Sequence, residues 1–274
     1  MAGKAFRFGV VAAAQGGASQ WRETARRVEQ LGYATLLTPD NLRFPAPTVS
    51  LAIAAAVTST LRVGTYVLAI PLRTPRAAAW DAHSLAELTD GRFELGLGTG
   101  LPMMREEARE LGLPYGNGSE RLDQIAQTID HLRRLEGTRR TPILVAAGGP
   151  KATALAMEKA DIIAVSQFSG PREYAIKAAR ELREQFGERL DAIELATNIF
   201  VVGDEVAPWI AQFVGADAAT MIAQDSLTML RGDSVLEMVD EIQRRRDTLG
   251  LSYISVHQTV MEQFAPIVEQ LTGR

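Results

Sequence analysis

Two adjacent polar residues, Asp40 and Asn41, follow the short apolar run 34–38 and are the first candidates for chemistry in this chain. A carboxylate is ordinarily ionised at neutral pH, so Asp40 suits a base or a ligand-orienting acceptor better than an acid. Asn41 can orient a ligand but cannot titrate. A simple turn after Pro39 is the alternative explanation for Asp40.

Three alternate glycines, Gly96, Gly98 and Gly100, end a second apolar run. The stretch 91–100 alternates large apolar residues with small or polar ones, which is typical of a buried strand that exposes bare backbone at its carboxyl end. Two interpretations stay open, namely close packing of a neighbouring strand and close approach of a large flat ligand. The spacing is not a dinucleotide-binding fingerprint, because the third glycine comes one place early and Pro102 follows it closely.

A further glycine turn, Gly148-Gly149-Pro150-Lys151, joins a predicted strand to a predicted helix. Backbone N–H groups at a helix start, with the positive end of the helix dipole behind them, can hold a phosphate without any charged side chain. An ordinary tight turn has the same composition, so the motif alone leaves both interpretations open.

Two further titratable residues stand near predicted strand ends. His257 ends the last predicted strand and is either a catalyst or a hydrogen-bonded rim residue. Glu107 follows the glycine-rich strand and either overhangs a site or belongs to a solvated helix start, as does Glu106. The chain has no cysteine and no histidine or carboxylate motif with metal-ligand spacing, so we predict no metal.

The elements that must position these residues are alternating strand and helix patterns. The strand patterns cover 6–13, 34–38, 61–70, 91–100, 142–147, 162–166, 195–202 and 253–257, and a helical pattern follows each of them. The run 61–70 is the longest strand pattern, and Ser234 with Glu237 has capping-box spacing at a helix start. Eight strand-helix units predict an α/β fold with one closed (β/α)₈ (TIM) barrel as a single domain over 1–274, in preference to an open doubly wound sheet. In such a barrel the site lies at the carboxyl ends of the strands.

The composition narrows the class of partner. The chain has 274 residues, 46% of them hydrophobic, and a net charge of -4. Without long basic runs it is not expected to bind nucleic acid, and without an apolar run of spanning length it is not expected to cross a membrane. We therefore expect a cytoplasmic protein with a small-molecule partner.

Three stretches together resemble a known family. They are 61–65 leading to Arg73-Thr74-Pro75, 85–93 leading to 96–100, and Ala147-Gly148-Gly149-Pro150. With these motifs the chain resembles the bacterial-luciferase-like superfamily, and particularly its branch of deazaflavin oxidoreductases that use coenzyme F420. The resemblance implies a (β/α)₈ barrel that binds a flavin or deazaflavin at the carboxyl ends of its strands.

The resemblance also implies site residues. Those that would contact the cofactor are Tyr66 and Val67 across a non-proline cis peptide, Gly98, Thr99 and Gly100, and Ala147, Gly148, Gly149 and Pro150, the last four holding its phosphate. Asp40 is a further candidate for cofactor binding, because its place at a strand end suits an acceptor that orients the ring. Two departures from the family pattern matter. Many deazaflavin members have histidine where this chain has Asn41, and some sugar-phosphate dehydrogenases have an acid where it has Leu101.

The function implied is an F420-dependent oxidoreductase, and in particular a reductase that uses reduced F420, which moves hydride to or from a small organic substrate. The candidate catalytic residues are Asp40, Asn41, Glu107 and His257. An FMN-dependent monooxygenase and a non-catalytic cofactor-binding protein are the alternatives.

Because relatives pair through helices near the second and third strands, and 48–60 is apolar around much of its circumference, we also expect a homodimer.

Overall fold

The computed structural model describes residues 4–274. Its strands are β1 (Arg7–Val11), β2 (Thr35–Thr38), β3 (Arg62–Thr65), β4 (Leu68–Ala69), β5 (Phe93–Gly98), β6 (Ile143–Ala147), β7 (Ile162–Val165), β8 (Glu194–Ile199), β9 (Val201–Val202), β10 (Met229–Leu230) and β11 (Leu251–His257). Its helices are α1 (Gly17–Gln30), α2 (Pro47–Ala56), α3 (Pro75–Leu88), α4 (Met104–Glu110), α5 (Gly118–Glu136), α6 (Pro150–Lys159), α7 (Arg172–Phe186), α8 (Arg189–Ala192), α9 (Pro208–Val214), α10 (Ala218–Ala223), α11 (Val235–Leu249) and α12 (Met261–Leu271).

The main sheet is a closed parallel barrel. Its strand order is β3-β2-β1-β11-β8-β7-β6-β5-β4, and β3 also pairs with β5, which closes the ring. The predicted (β/α)₈ barrel is confirmed, and the open doubly wound sheet is wrong because such a sheet has two free edges. The carboxyl ends of parallel strands meet at one end of a barrel, so the fold gathers the strand-end residues there.

The chain also forms two compact units. The amino-terminal unit consists of Val11–Gln30 and Ala34–Ile163. The carboxyl-terminal unit consists of Ala164–Arg274, Leu31–Tyr33 and the described residues up to Val10. The single domain expected from the sequence stays a prediction.

In the amino-terminal unit, α1 determines where two neighbouring elements lie. The indole nitrogen of Trp21 donates to the carbonyl of Ser50 at 2.7 Å, which ties α1 to α2. One carboxylate oxygen of Glu29 accepts the backbone N–H groups of residues 59, 60 and 61 at 2.8, 2.7 and 2.9 Å. These bonds lower the pKa of Glu29 even though burial alone would raise it, and they hold the start of β3.

The stretch 61–70 is not one long strand, which corrects the prediction. It divides into β3 and β4, and a 3₁₀ turn, Ile70–Leu72, follows. Gly64 pairs with Glu94 and Leu68 pairs with Leu97, so three residues of this chain segment face two of β5. The extra residue is a bulge, whose position depends on the partner strand and is invisible in the periodicity of 61–70.

In the carboxyl-terminal unit, the chain leaves the barrel after β8 and returns before α11. We call residues 201–230 the excursion. Its first and last strands, β9 and β10, are parallel, and Val201 pairs with Met229. A small apolar cluster of Val201, Ile210, Met221 and Met229 fills it. The excursion therefore has its own small core.

A buried arginine on α11 holds the returning end of the excursion. Arg245 is 1% exposed, and it donates to the carbonyls of Leu227 and Met229 at 2.9 and 2.6 Å. Its third contact is with the Glu241 carboxylate at 2.7 Å, and Arg172 donates to the same oxygen. Burial favours the neutral form of Glu241, but the two arginines outweigh it and lower the pKa of Glu241.

The start of α11 differs from its predicted capping box. The Ser234 hydroxyl accepts the N–H of Glu237 at 3.2 Å, as expected of an N-cap. The Glu237 carboxylate, however, accepts the N–H of Asp233 at 2.8 Å rather than that of Ser234. Half of the capping box is therefore formed.

Over residues 4–274, none of the helices has the length and apolar character that crossing a membrane requires.

Candidate functional site

The glycines of β5 make room for the backbone between β3 and β4. A Cβ atom at Gly96 would lie 2.0 Å from the carbonyl oxygen of Thr65, and one at Gly98 would lie 2.5 Å from Cγ2 of Val67. The Thr65 hydroxyl donates to the Gly96 carbonyl at 2.7 Å and accepts the Gly96 N–H at 2.9 Å. Of the two interpretations left open by the sequence, close strand packing accounts for Gly96 and Gly98.

The peptide between Tyr66 and Val67 is cis, as the family resemblance implied. Both side chains are partly exposed, and the Tyr66 N–H donates to the carbonyl of Thr38 at the end of β2 at 2.9 Å. The bulge between β3 and β4 is therefore hydrogen-bonded to β2 on one side and packed against the β5 glycines on the other.

The end of β5 turns sharply toward α4. Gly100 has φ 77, and a Cβ atom there would lie 3.2 Å from both Pro71 Cγ and Met104 Sδ. Both the left-handed backbone and the lack of space for a side chain therefore favour glycine. Thr99 is partly exposed. Its hydroxyl has no hydrogen-bond partner among the described residues, and it is free to meet a ligand.

Asp40 lies at the end of β2 in a tight ion pair. Its Oδ2 accepts the N–H of Ala69 at 2.8 Å and an Arg73 guanidinium N–H at 2.5 Å, while Oδ1 accepts a second Arg73 N–H at 3.2 Å. The two side chains are 4% and 18% exposed. A carboxylate with three donors is a fixed anchor, which ties β2 to β4 and to the 3₁₀ turn after it.

Asn41 and Glu107 come together at the same strand end. The Asn41 side-chain oxygen accepts the N–H of Arg43 at 2.9 Å and so shapes the turn after β2. The Glu107 carboxylate reaches over from α4 and accepts the N–H of Leu42 at 3.2 Å. Glu106 points away and pairs with Arg109 at 2.8 Å on the surface. Glu107 therefore contacts the turn after β2, whereas Glu106 lies on the solvated surface.

The glycine turn after β6 opens directly into α6. Gly149 is the residue before the helix and has φ -168, an extended conformation open to any residue, and its Cβ position has no neighbour within 4 Å. No side chain caps α6, and the first helical residue is Pro150. The N–H groups of Lys151 and Ala152 in the first turn point out of the helix end without intrahelical partners, so they are open to a ligand.

His257 lies in the carboxyl-terminal unit, at the end of β11. Its Nδ1 accepts the N–H of Thr259 at 3.3 Å and lies 2.8 Å from the Thr259 hydroxyl. Burial lowers the pKa of His257 to about 4, so the imidazole is neutral at physiological pH. A neutral imidazole can donate or accept a hydrogen bond but supplies no imidazolium proton.

The amino-terminal unit thus brings Asp40, Asn41 and Glu107 to one strand end. Sequence reasoning missed Arg73, although the residue was part of the motif used for the resemblance. A lone arginine shortly after the third strand was the available signal, but its partner lies 33 residues away in sequence. Among residues 4–274, no three histidine or carboxylate side chains are grouped as metal ligands would be.

Comparison with known proteins identifies the family. The sequence model of the luciferase-like monooxygenases matches residues 5–207. The chain belongs to the luciferase-like monooxygenase family. The predicted membership of the luciferase-like superfamily is thereby confirmed.

Two sequence relatives and one solved structure of similar fold set the scale of similarity. An uncharacterized protein of Mycobacterium tuberculosis is 27% identical over 129 residues, which are 38% of this chain and 44% of that protein, so less than half of its length is matched. The F420-dependent glucose-6-phosphate dehydrogenase of Nakamurella multipartita is 28% identical over 235 residues, which are 72% of this chain and 68% of that one. The coenzyme F420 dependent tetrahydromethanopterin reductase from Methanopyrus kandleri superposes with a TM-score of 0.74 at 17% identity, over 98% of each chain.

Proposed function

We propose that this protein is an oxidoreductase that uses coenzyme F420, and that it reduces a small organic substrate with hydride from the reduced deazaflavin. When bound, the cofactor supplies the hydride chemistry. The chain's own residues bind it, orient it and handle the accompanying proton. The Nakamurella relative, which aligns with most of this chain, is named for its use of F420.

The observation that carries the proposal is the open start of α6. In this proposal the ten-residue helix, which has no side-chain cap and is preceded by two glycines with open space at the Cβ position of Gly149, forms a phosphate cradle from backbone alone. The bulge at Tyr66 and Val67 supplies partly exposed side chains on the same unit, and Thr99 supplies an unpaired hydroxyl. These residues fit a cofactor that has both a flat ring and a phosphate.

The proton that accompanies the hydride needs a titratable group at the strand ends. Asp40 is held by Arg73 and Ala69, Asn41 does not titrate, and His257 is neutral. Glu107 is partly exposed, and among the described residues it has no cationic partner. We therefore assign proton transfer to Glu107 and the anchoring of the site to Asp40.

The cofactor assignment is tested by fluorescence titration with F420 and with FMN. Gly149→Val should weaken F420 binding at least tenfold, because a branched side chain would occupy the cradle, while Lys151→Ala should change it less than threefold. Since Gly149 is extended and unobstructed, both variants should fold normally, which circular dichroism checks. Equal losses in the two variants, or tight binding of FMN with none of F420, would overturn the assignment.

The assignment of Glu107 has a matched control on the next residue. Glu107→Gln should lower turnover by about 10² or more without changing F420 affinity, because it removes the titratable group that relays the proton and leaves the cofactor cradle intact. Glu106→Gln, which alters an exposed carboxylate paired with Arg109, should leave turnover unchanged. Full activity of Glu107→Gln would exclude this role.

One observation favours an FMN-dependent monooxygenase as the second candidate. Asn41 occupies the position where many deazaflavin members have histidine. Oxygen consumption that depends on reduced FMN would support this alternative. Bound cofactor without turnover on imines, enones or alcohols would instead support a non-catalytic binding protein.

We also propose that two copies pair through α2 and α3. Val49 and Ile53, one turn apart on α2, are 59% and 36% exposed, and Trp80 and Leu88 on α3 are 67% and 81% exposed. The α2 and α3 helices contact each other, so these apolar side chains belong to neighbouring helices. Light scattering should give the mass of two chains, and Trp80→Glu should give one; a wild-type mass of one chain would refute the pairing.

A further inference from the structure

Two strands of the carboxyl-terminal unit end side by side with aromatic or heteroaromatic residues. β8 and β11 are parallel, and Ile199 pairs with Val256. Phe200 and His257 are the next residues along each strand, and their rings are stacked with centroids 6.4 Å apart. The register of the barrel, rather than a local motif, therefore brings these two rings together.

Helix α9 adds two more rings to the pair. Trp209 and Phe213 are one helical turn apart, so they share a face of α9. Trp209 lies 4.6 Å from His257 and 6.5 Å from Phe200, and Phe213 lies 5.4 Å from Phe200, all between ring centroids. We call these four side chains the ring cluster.

The ring cluster is open to solvent on its outer side. Trp209 is 41% exposed and Phe213 is 61% exposed, while Phe200 packs on the buried apolar cluster of the excursion below. Aromatic side chains that contact one another and remain accessible can bind flat apolar rings by stacking, and aromatic side chains are common in the lining of small-molecule sites.

One polar atom of the ring cluster has a defined role. A backbone N–H can only donate, so Nδ1 of His257 is the acceptor in its contact with Thr259 and carries no proton there. In the neutral imidazole the proton then resides on Nε2. This N–H has no acceptor among the described residues, so it is available to a ligand oxygen.

We propose that the ring cluster binds a flat, uncharged ring compound that carries a carbonyl oxygen, with its ring against Trp209 and Phe213 and its oxygen accepting the Nε2–H of His257. If the proposed reductase activity is correct, this compound is the substrate class. The ring cluster does not itself transfer hydride, and binding to it needs no cofactor, so the two proposals can fail separately.

The test uses two bicyclic probes that differ by one carbonyl, 1-tetralone and tetralin. Isothermal titration of the cofactor-free protein measures the affinity of each. We expect saturable binding of both, with 1-tetralone about three- to tenfold tighter because it gains one hydrogen bond. Trp209→Ala and Phe213→Ala should each weaken both probes about tenfold, and His257→Phe should keep ring binding but abolish the preference for 1-tetralone.

Tyr174→Ala is the matched control, since Tyr174 is another aromatic side chain of the same unit, 57% exposed on α7. It should leave both affinities unchanged. Absence of saturable binding, unchanged affinity in both alanine variants, or a preference for 1-tetralone that survives His257→Phe would overturn the proposal. Titration with F420 in the same variants gives a separate answer for the proposed cofactor.

Discussion

Replacing Asp40 by asparagine tests whether this residue is an anchor or a catalytic base. The carboxylate accepts two N–H groups of Arg73 at 2.5 and 3.2 Å and the Ala69 N–H at 2.8 Å. Asparagine keeps one acceptor oxygen but places an NH₂ group against donors, which leaves the guanidinium without its counter-charge.

The expected loss of folding free energy follows from the burial of the ion pair between Asp40 and Arg73. Removing one partner of a buried ion pair costs about 3–5 kcal/mol. Because Arg73 keeps 18% exposure, water offsets part of this penalty, and we expect Asp40→Asn to destabilise the protein by about 2–3 kcal/mol. Arg73→Gln should cost a similar amount, and the double variant should cost clearly less than the sum of the two single variants.

The assay is urea unfolding followed by circular dichroism, arranged as a double-mutant cycle. A coupling free energy of about 1.5–3 kcal/mol is expected for two side chains in such direct contact. Arg109→Gln, which breaks the exposed pair with Glu106, serves as the control and should cost less than about 0.5 kcal/mol. Additive effects of Asp40→Asn and Arg73→Gln would refute the anchor.

Turnover of the variants distinguishes an anchoring role of Asp40 from a role as a catalytic base. If Asp40 acts only by holding Arg73 and Ala69, then Arg73→Gln should reproduce the loss of cofactor affinity and turnover seen in Asp40→Asn. A base that contacts substrate would instead make Asp40→Asn far more damaging than Arg73→Gln. Because the ion pair links β2 to Arg73, Asp40→Asn should lower stability as well as turnover.

Three further predictions follow from other contacts. Gly96→Ala should destabilise by about 2–3 kcal/mol in thermal unfolding, because its Cβ would lie 2.0 Å from a backbone oxygen, whereas Gly149→Ala should be neutral for folding. Burial lowers the pKa of His257 from 6.5 to about 4. Between pH 6.5 and pH 4 the imidazole is therefore protonated in the unfolded state but not in the folded state. Stability should therefore fall by about 1–2 kcal/mol on acidification from pH 6.5 to 4, after allowance for solvent screening, and His257→Gln should remove that loss in urea titrations at several pH values. Arg245→Met should cost about 3 kcal/mol by the same measurement, since it leaves two carbonyls and part of Glu241 unpaired, and a loss below 1 kcal/mol would contradict the assigned role of this arginine.

The barrel could be predicted from the sequence because each pattern that indicates it lies within a single short segment. Apolar runs of strand length alternate with helical periodicity, and turn residues such as Gly32 with φ 79 stop the helices. The glycine turn at 148–149 and the polar pair at 40–41 could be found for the same reason, since strand ends are visible in sequence and the barrel defines which end matters.

The features that could not be predicted from the sequence depend on strand register and on contacts between residues far apart in the chain. The break after Thr65 arises from a one-residue mismatch with β5, and no property of 61–70 alone encodes it. The partner of Asp40 and the convergence of Phe200 with His257 depend likewise on contacts between segments far apart in the chain. Pairing between two segments has no signature in either segment by itself.

The excursion has a consequence for how this protein can diversify. Its two ends lie side by side, because Val201 pairs with Met229, and its interior has its own apolar cluster. Residues between them, including Trp209 and Phe213, can therefore be replaced by a segment of another length or sequence without shifting the register of any barrel strand. Recombination at these two points would graft a new surface segment onto an unchanged barrel. The barrel and the excursion can in this sense be inherited separately.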